Sequence, residues 1–200
     1  MRVVQPGILS LLQDGGRRGQ HRIGLTNGGP LDAEAFHYCN RLLQNPEGAT
    51  SIEISFGGLQ LEAAVDTFVC VTGAGIPLHI DGEPRDTWAV HPVSAGQQIA
   101  LEFAERGCRA YLGVAGGFAI DPSFGSSATV MREKIGGISG DKLHAGDELP
   151  CAPAAGRRLY YLPPFRQPHY QNTVTVRVIP GYQQHHFSRL QQRRFFSHAY

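Results

Sequence analysis

The chain has 200 residues, of which 18 are basic and 17 are acidic, so its formal net charge is +1. This balance gives no electrostatic reason to expect nucleic acid or an anionic membrane surface as a partner. No run of about 18 apolar residues occurs, which argues against a membrane-spanning helix.

The first 50 residues predict two glycine-dense loops followed by one helix. A short apolar run at residues 8–12 leads into the polar loop 13–19, and a second glycine-rich loop covers residues 26–30. Glycine at this density permits positive φ angles and close approach of the backbone. The helix is expected to open at Asp32 and to stop at Asn45-Pro46, because the apolar residues between them recur at helical spacing.

From residue 50 onward, apolar residues alternate with polar ones, which is the period of β-strands. Strands are predicted at residues 51–56, 59–62, 67–72, 78–80, 88–90, 98–103 and 109–114. Asp81-Gly82 between two short apolar runs indicates a type I′ hairpin. Short strands that end on glycines, with a turn roughly every 8 to 12 residues, predict a mainly β fold, namely a closed or nearly closed barrel with one or two helices.

The composition predicts one domain, a linker and the beginning of a second domain. Residues 1–152 form the first domain, and the proline-rich stretch 153–172 is interpreted as a linker. A second domain is expected to begin within residues 173–200, with a strand at 173–179. The arginine-rich end of the chain, around Arg189, is expected to be a solvated and frayed terminus.

Cysteine usage favours a reducing compartment. The four cysteines lie far apart, and neither they nor the nine histidines show metal-ligand spacing, so no metal site is expected. Buried free thiols in a reducing cytosol are the expected state. The N-terminal residues contain no apolar signal segment, so a cytoplasmic location is expected.

Two common catalytic motifs do not occur in the sequence. No G-x-x-x-x-G-K-[ST] loop exists, and the glycines of Gly73-Ala74-Gly75 do not precede a predicted helix that could hold a pyrophosphate. An ATP site is therefore not expected within this chain. The G-x-S-x-G element of serine hydrolases is also absent.

The polar side chains of the glycine-rich loops are the remaining candidates for a functional site. A guanidinium such as Arg17 beside the carboxylate of Asp14 could bind a carboxylate or carbonyl group, or could lock two loops together, and residue chemistry favours the locking role. The hydroxyl-rich segment 126–129 could donate to an oxyanion or bond its own backbone as a turn. Glu53 and Arg109 lie in predicted strands, where an ion pair at the edge of the core is expected.

Eight short motifs, in order across residues 6–149, resemble those of one family. The eight motifs are Pro6-Gly7 with Gln13-Asp14-Gly15-Gly16-Arg17-Arg18-Gly19; Gly24-Leu25 with Gly29-Pro30-Leu31-Asp32, Asn40-Arg41-Leu42 and Asn45-Pro46; Glu53-Ile54 with Gly57-Gly58; Thr72-Gly73-Ala74; Arg109-Ala110-Tyr111-Leu112 with Ala115-Gly116-Gly117; Gly125-Ser126; Gly136-Gly137; and Gly146-Asp147. The family is the biotin-dependent carboxyltransferase-like group. It includes allophanate hydrolase subunit 2, the carboxyltransferase part of urea carboxylase, KipA-type antagonists of a kinase inhibitor, and the C subunit of 5-oxoprolinase.

The resemblance implies a fold of two cyclophilin-like β-barrels, of which this chain matches the first and the start of the second. It implies a subunit of an ATP-dependent 5-oxoprolinase, a hydrolase that converts 5-oxoproline to glutamate and that would be inactive as this chain alone. One alternative is the carboxyltransferase module of a biotin-dependent urea carboxylase and allophanate hydrolase system. Another alternative is a non-enzymatic KipA-like regulator that binds a kinase-inhibitor protein.

The resemblance also implies cofactors and partners outside this chain. ATP would act in the complex without a site located here, and biotin would arrive on another domain or protein. The expected protein partners are the B-like (KipI-like) and A-like subunits of such a complex, and the substrate is a small amide.

The resemblance turns the polar loop residues into site candidates. The candidate catalytic residues are Gln13, Asp14, Arg17 and Asp32, and the candidate substrate-binding residues are Asn27, Asn40, Glu53, Ser126 and Thr129. Preorganised donors at such positions would hold the substrate and stabilise developing oxyanion charge. The sequence departs from the family pattern at Gly28, Pro30, Ser127, Ala128 and Asp141, where serine, alanine, arginine, a hydroxyl residue and arginine are usual.

Overall fold

Two antiparallel sheets account for the ten strands found in residues 1–171 and 173–199, the part of the chain that the computed structural model describes. The first sheet has the order β1 (Arg2–Pro6), β4 (Leu59–Glu62), β9 (Gln98–Leu101), β6 (Leu78–Ile80) and β7 (Glu83–Arg85). The second has the order β2 (Leu9–Gln13), β3 (Ser51–Ser55), β10 (Arg106–Val114), β5 (Thr67–Gly75) and β8 (Val90–Val93).

The main hydrophobic core lies between the two sheets. Alternate side chains of each strand enter it, for example Ile52 and Ile54 from β3, and Leu59 and Leu61 from β4, all fully buried. The intervening residues of the second sheet therefore point to its outer face, and Glu53 is one of them.

Helix α1 (Ala33–Leu42) covers part of that outer face. Its side chains Phe36 and Cys39 are fully buried against β5 and β10, and the ring of Phe36 meets that of Tyr111 edge to face at 5.8 Å. The helix begins where the sequence predicts, because the Asp32 side chain accepts a 3.0 Å hydrogen bond from the Ala35 N–H as an N-cap.

The mainly β class with few helices is confirmed, and the barrel, predicted as closed or nearly closed, is not closed: among the described residues the two sheets are separate ladders. On one side, an irregular segment bonds to the edge strands in place of a strand pair, with Leu143 N donating to Ser10 O and Leu149 N donating to Met1 O. On the other side, β7 and β8 carry Pro84 and Pro92, and proline has no N–H to extend a ladder.

Most predicted strands are present, with shifted bounds. The Asp81-Gly82 hairpin is confirmed, with φ angles of 51° and 78°. No pattern in the sequence indicates β7, because Pro84 interrupts it. The predicted strand at 88–90 begins two residues later as β8, since Trp88 has a left-handed φ of 59°.

Two predictions about the C-terminal part are wrong. Residues 173–179 form no strand, and their apolar side chains, such as Val174 and Val176, are exposed without a neighbouring ladder. The arginine-rich segment is not frayed but forms α2 (Arg189–Ser197), which opens with a capping box between Ser188 and Gln191.

Residues 153–171 run along the outer face of the first domain. Leu162 N donates to Trp88 O, Ala154 N donates to Asp66 O, and Tyr170 packs against the cluster under α1. The division of the chain at residues 152 and 172 stays a prediction.

All four cysteines are free, but only Cys39 and Cys70 are fully buried, while Cys108 is exposed. In the described residues, no group of three or more histidine, cysteine or acidic side chains could hold a metal ion. Of the helices in the same residues, none has the length and hydrophobicity to cross a membrane.

Candidate functional site

The two glycine-rich loops lie side by side, because three side chains of the second sheet hold the backbone of residues 29–32. Gln13 Oε1 accepts from Gly29 N at 2.9 Å, and Glu53 Oε2 accepts from Leu31 N at 2.8 Å. The Tyr111 hydroxyl accepts from Asp32 N at 2.8 Å. The three side chains come from the adjacent strands β2, β3 and β10, so the order of strands in the sheet sets the path of the loop.

Glu53 and Tyr111 form the buried centre of this arrangement. The Tyr111 hydroxyl donates to Glu53 Oε2 at 2.6 Å, and the two side chains pair directly across β3 and β10. Burial first, and then the Glu53 carboxylate, raise the pKa of Tyr111 well above its ordinary value. Tyr111 therefore stays a neutral donor and acceptor, which is what holding Asp32 N and Glu53 at once requires.

Asp32 links the start of α1 to the segment that the sequence identifies as a linker. Its Oδ1 caps the helix, while its Oδ2 accepts a 2.6 Å hydrogen bond from the Tyr170 hydroxyl. Burial and then Asp32 raise the pKa of Tyr170 above its ordinary value. Sequence reasoning missed Tyr170, because it lies 138 residues from Asp32 in a proline-rich stretch without any pattern that marks it.

The first loop is fixed by Asp14. Its Oδ1 accepts from the Ser126 hydroxyl at 2.6 Å and from Gly16 N at 2.8 Å, and its Oδ2 accepts from Ser127 N at 2.8 Å. The carboxylate thus ties the loop to the hydroxyl-rich segment, as the locking role predicts.

Arg17 is fully buried and bonds to backbone carbonyls. Its Nε donates to Ser123 O at 2.9 Å, and its Nη2 donates to Ser126 O at 3.3 Å and Ala128 O at 3.1 Å. The expected pair between this guanidinium and a carboxylate does not form, since none of the ion pairs within the described part of the chain includes Arg17. Its Nη1 is buried and has no partner.

The remaining predicted residues have structural contacts of their own. The carbonyl of the exposed Asn27 accepts from Arg17 N at 2.6 Å, and the carbonyl of Thr129 accepts from Gln13 Nε2 at 3.1 Å. Asn40 lies away from the other candidates, because its side chain bonds to Ala49 O and Asn45 at the C-terminal end of α1.

Eight of the nine candidates thus fall into two connected groups, one around Arg17 and one around Tyr111. Gln13 joins them, since it bonds to Thr129 in the first group and to the Gly29 N–H that leads into the second. Whether these residues bind substrate stays a prediction.

Two of the departures from the family pattern touch each other. A Cβ atom on Gly28 would lie 3.1 Å from the Ala128 Cβ and 3.0 Å from Val130 Cγ2, and the φ of Gly28 is +63°. A side chain at position 28 would be strained in this chain, so glycine at 28 and alanine at 128 are linked by packing.

Arg109 adds a charged side chain beside the Tyr111 group. Its Nε lies 3.7 Å from Glu53 Oε1, which makes the predicted ion pair at the edge of the core. The ring of Phe56 lies over the same guanidinium, with its centroid 6.0 Å from Cζ. Chemically, the group offers a carboxylate, a guanidinium and neutral phenols, which suit a small polar substrate that both donates and accepts hydrogen bonds.

Comparison with known proteins gives a consistent result. Residues 23–200 match the family model described as the carboxyltransferase domain, subdomain A and B. The chain is 33% identical to the C subunit of 5-oxoprolinase from Escherichia coli (strain K12) over 196 residues, which cover 98% of this chain and 62% of that protein. It therefore spans less than two thirds of the length of this relative.

Solved structures share the fold. A crystal structure of the protein TTHA0988 is 32% identical and matches with a TM-score of 0.82, over 91% of this chain and 36% of that one. The crystal structure of the Kluyveromyces lactis urea carboxylase is 27% identical and matches with a TM-score of 0.71, over 84% of this chain and 14% of that one.

Proposed function

Because the chain belongs to the family of carboxyltransferase domains, subdomains A and B, we propose that it acts within the C subunit of an ATP-dependent 5-oxoprolinase. The observation that carries this proposal is the 33% identity to such a protein over 98% of the chain. The substrate is then a five-membered lactam, and the reaction is its hydrolysis to glutamate in a cytoplasmic complex.

The geometry supports a role in holding the amide. The backbone of residues 29–32 is fixed in advance by Gln13, Glu53 and Tyr111, so the side chains that flank it need no reorganisation when a substrate binds. Each of these three contacts involves a buried side chain of the rigid sheet. Binding groups carried by such a scaffold are placed more accurately than groups on a free loop.

The residues present do not fit an ATP site. In the described residues of the first domain, the N-terminus of α1 is the one place where a glycine-rich loop meets the start of an α-helix, and the Asp32 side chain already occupies it as N-cap. A carboxylate at this position repels a phosphate. We therefore assign ATP to another part of the complex, which also contains A-like and B-like subunits.

The test is reconstitution. The chain is purified together with the A-like and B-like proteins, and ATP hydrolysis is measured with and without 5-oxoproline. The proposal expects ATP hydrolysis that depends on 5-oxoproline in the complex, and none from the chain alone. Equal rates with and without 5-oxoproline would contradict it.

A second candidate is the carboxyltransferase module of a urea carboxylase, which the structural match to the Kluyveromyces lactis enzyme favours. Biotin would then be carried by another domain, since neither Lys134 nor Lys142 has methionine neighbours as in a biotin-acceptor segment. The same preparation, given carboxybiotin and urea, separates the two. Urea-dependent consumption of carboxybiotin, without a response to 5-oxoproline, selects this candidate.

A further inference from the structure

The ion pair between Glu53 and Arg109 leaves one donor and one acceptor unused. Arg109 Nε is buried and has no hydrogen-bond partner, although Glu53 Oε1 lies only 3.7 Å away. This distance exceeds the usual range of about 2.7–3.2 Å for an N–H···O hydrogen bond. The other oxygen, Oε2, accepts from Leu31 N and from the Tyr111 hydroxyl, so the carboxylate is held in place.

An unpaired buried N–H beside an available carboxylate oxygen needs a physical reason. Most buried donors in folded proteins are paired, because an unmade hydrogen bond costs about 1–3 kcal/mol. Arg109 could reach Glu53 only if one of the two moved, and both are restrained. Glu53 is fixed by its two bonds through Oε2, and Arg109 Nη1 donates to Cys108 O at 3.0 Å.

Phe56, next to Arg109, provides a second and independent observation, which is an unfavourable backbone conformation. It has a left-handed φ of 63°, which is unfavourable for a bulky side chain, and its backbone is held there by bonds to Cys108 O and from Ala104 N. Backbone strain of this kind concentrates at functional sites. The strained residue presents a ring that is 49% exposed and lies directly over the Arg109 guanidinium.

We propose that Arg109 and Glu53 form a recognition site for a planar amide whose N–H and C=O lie on the same edge, as in a lactam or in urea. The carbonyl oxygen accepts from Arg109 Nε, and the amide N–H donates to Glu53 Oε1. The site deepens the proposed function, on which the choice of a lactam as ligand rests.

The charges of the pair select this chemistry. A carboxylate in the position of the amide, in contact with Arg109 Nε, is repelled by Glu53, and a cation in contact with Glu53 Oε1 is repelled by Arg109. A neutral amide satisfies both groups, because it supplies one acceptor and one donor. The ring of Phe56 offers an apolar face to a flat ligand, and because half of it faces solvent, its rotation opens the way to Arg109.

The ion pair expected from the sequence explains why the two residues are neighbours. It does not explain why the direct hydrogen bond is not made, nor why a phenylalanine is held at a left-handed φ above the pair. A ligand that bridges the two groups accounts for the hydrogen bond that is not made, and the half-exposed ring of Phe56 gives a flat ligand an apolar surface.

The experiment measures binding of small amides to the chain by ligand-observed NMR, without any need for turnover. The probes are 2-pyrrolidinone and N-methyl-2-pyrrolidinone, which share a ring and a carbonyl but differ in the N–H. Loss of the N–H leaves Glu53 Oε1 unpaired, so the methylated lactam is expected to bind at least about tenfold more weakly. Equal affinity for the two lactams, or no binding of either, would overturn the proposal.

The variants are Arg109→Gln and the matched control Arg106→Gln, which lies on the same strand and is exposed. Arg106→Gln is expected to bind 2-pyrrolidinone like the wild type, and Arg109→Gln at least about tenfold more weakly. If Arg109→Gln fails to fold, as judged by its thermal unfolding, Arg109→Lys replaces it, because lysine keeps the charge but lacks the Nε donor. Unchanged affinity in the folded variant contradicts the proposal.

Two further arms separate this inference from the proposed function. The affinities for 5-oxoproline and for urea are compared directly, and the ligand that binds more tightly shows whether the site recognises the amide of a lactam or that of urea. Turnover of 5-oxoproline that persists unchanged in Arg109→Gln rejects the amide site but keeps the proposed function. Lactam binding that depends on Arg109, in a complex that does not turn over 5-oxoproline, rejects the function and keeps the site.

Discussion

The Tyr111 hydroxyl donates to Glu53 Oε2 at 2.6 Å and at the same time accepts from the backbone N–H of Asp32 at 2.8 Å. A single buried phenol therefore connects the second sheet to Asp32, the N-cap residue of α1. Both contacts are long-range in sequence, and each replaces a water molecule that the unfolded chain would bind.

Removal of this hydroxyl should destabilise the fold. Tyr111→Phe leaves Asp32 N without its acceptor and takes one donor from Glu53, so we expect the free energy of unfolding to fall by about 1–3 kcal/mol. Urea denaturation measures the change. The control is Tyr160→Phe at an exposed position, which should change the free energy by less than about 0.5 kcal/mol. Similar values for the two variants would show that the Tyr111 bonds add nothing to stability.

The same phenol predicts a pH dependence on the alkaline side. The pKa of Tyr111 is raised in the folded state, so above its ordinary value of about 10 the unfolded chain loses a proton that the folded chain keeps. The contribution of Tyr111 to the free energy of unfolding is therefore fully present below about pH 10, and it decreases as the pH rises above that value. The decrease is limited to about 1.4 kcal/mol per pH unit for one group.

Tyr111→Phe isolates this effect from the titration of other side chains. The difference in unfolding free energy between wild type and variant should be constant from about pH 7 to about pH 9 and should shrink above about pH 10. A difference that stays constant to higher pH would mean that the Tyr111 hydroxyl ionises equally in both states.

The buried guanidinium of Arg17 should matter more for stability than its exposed neighbour. Arg17→Gln removes the donors to Ser123 O, Ser126 O and Ala128 O, and we expect a loss of about 2–4 kcal/mol. Arg18→Gln, at an exposed position, should cost less than about 0.5 kcal/mol. Chemical denaturation compares the two, and equal losses would contradict a structural role for Arg17. A large loss also means that reduced turnover in this variant cannot be assigned to chemistry alone.

The surroundings of Gly57 and Gly82 predict that their substitution by alanine lowers the free energy of unfolding by different amounts. A Cβ on Gly57, whose φ is +109°, would clash with the Glu102 carbonyl oxygen, so Gly57→Ala should cost more than about 3 kcal/mol. Gly82 has a φ of +78° but open space around it, so Gly82→Ala should cost only about 1–2 kcal/mol from the backbone. Thermal unfolding of the two variants tests this order.

The contact of Tyr170 with Asp32 should hold residues 153–171 against the domain. Tyr170→Phe removes one hydrogen bond of about 1 kcal/mol, so the Leu162 N–H is expected to exchange with solvent about fivefold faster. Tyr161→Phe, at an exposed position in the same stretch, is the control and should leave the exchange rate unchanged. An unaltered rate in Tyr170→Phe would show that the segment is held by its other contacts.

Features set by local chemistry are visible in the sequence. Helix α1 is predicted because its apolar stripe and Asp32 cap lie within a few residues of one another, and the hairpin at Asp81-Gly82 because that dipeptide readily adopts positive φ angles. The capping box at Ser188 and Gln191 is just as local, and it outweighs the arginine-rich composition that suggests a frayed end. Residues 173–179 show the limit of such patterns, since alternating valines form a strand only when another strand lies beside them.

By itself, the sequence determined most of the short strands, the first helix and the family motifs, because each depends on residues close together along the chain. Only the tertiary structure decided that the sheets stay open, that Arg17 bonds to carbonyls, and that Tyr170 reaches Asp32 across 138 residues. The partner of a buried polar group depends on strand register and on how loops close over a face, and neither is encoded in any local pattern.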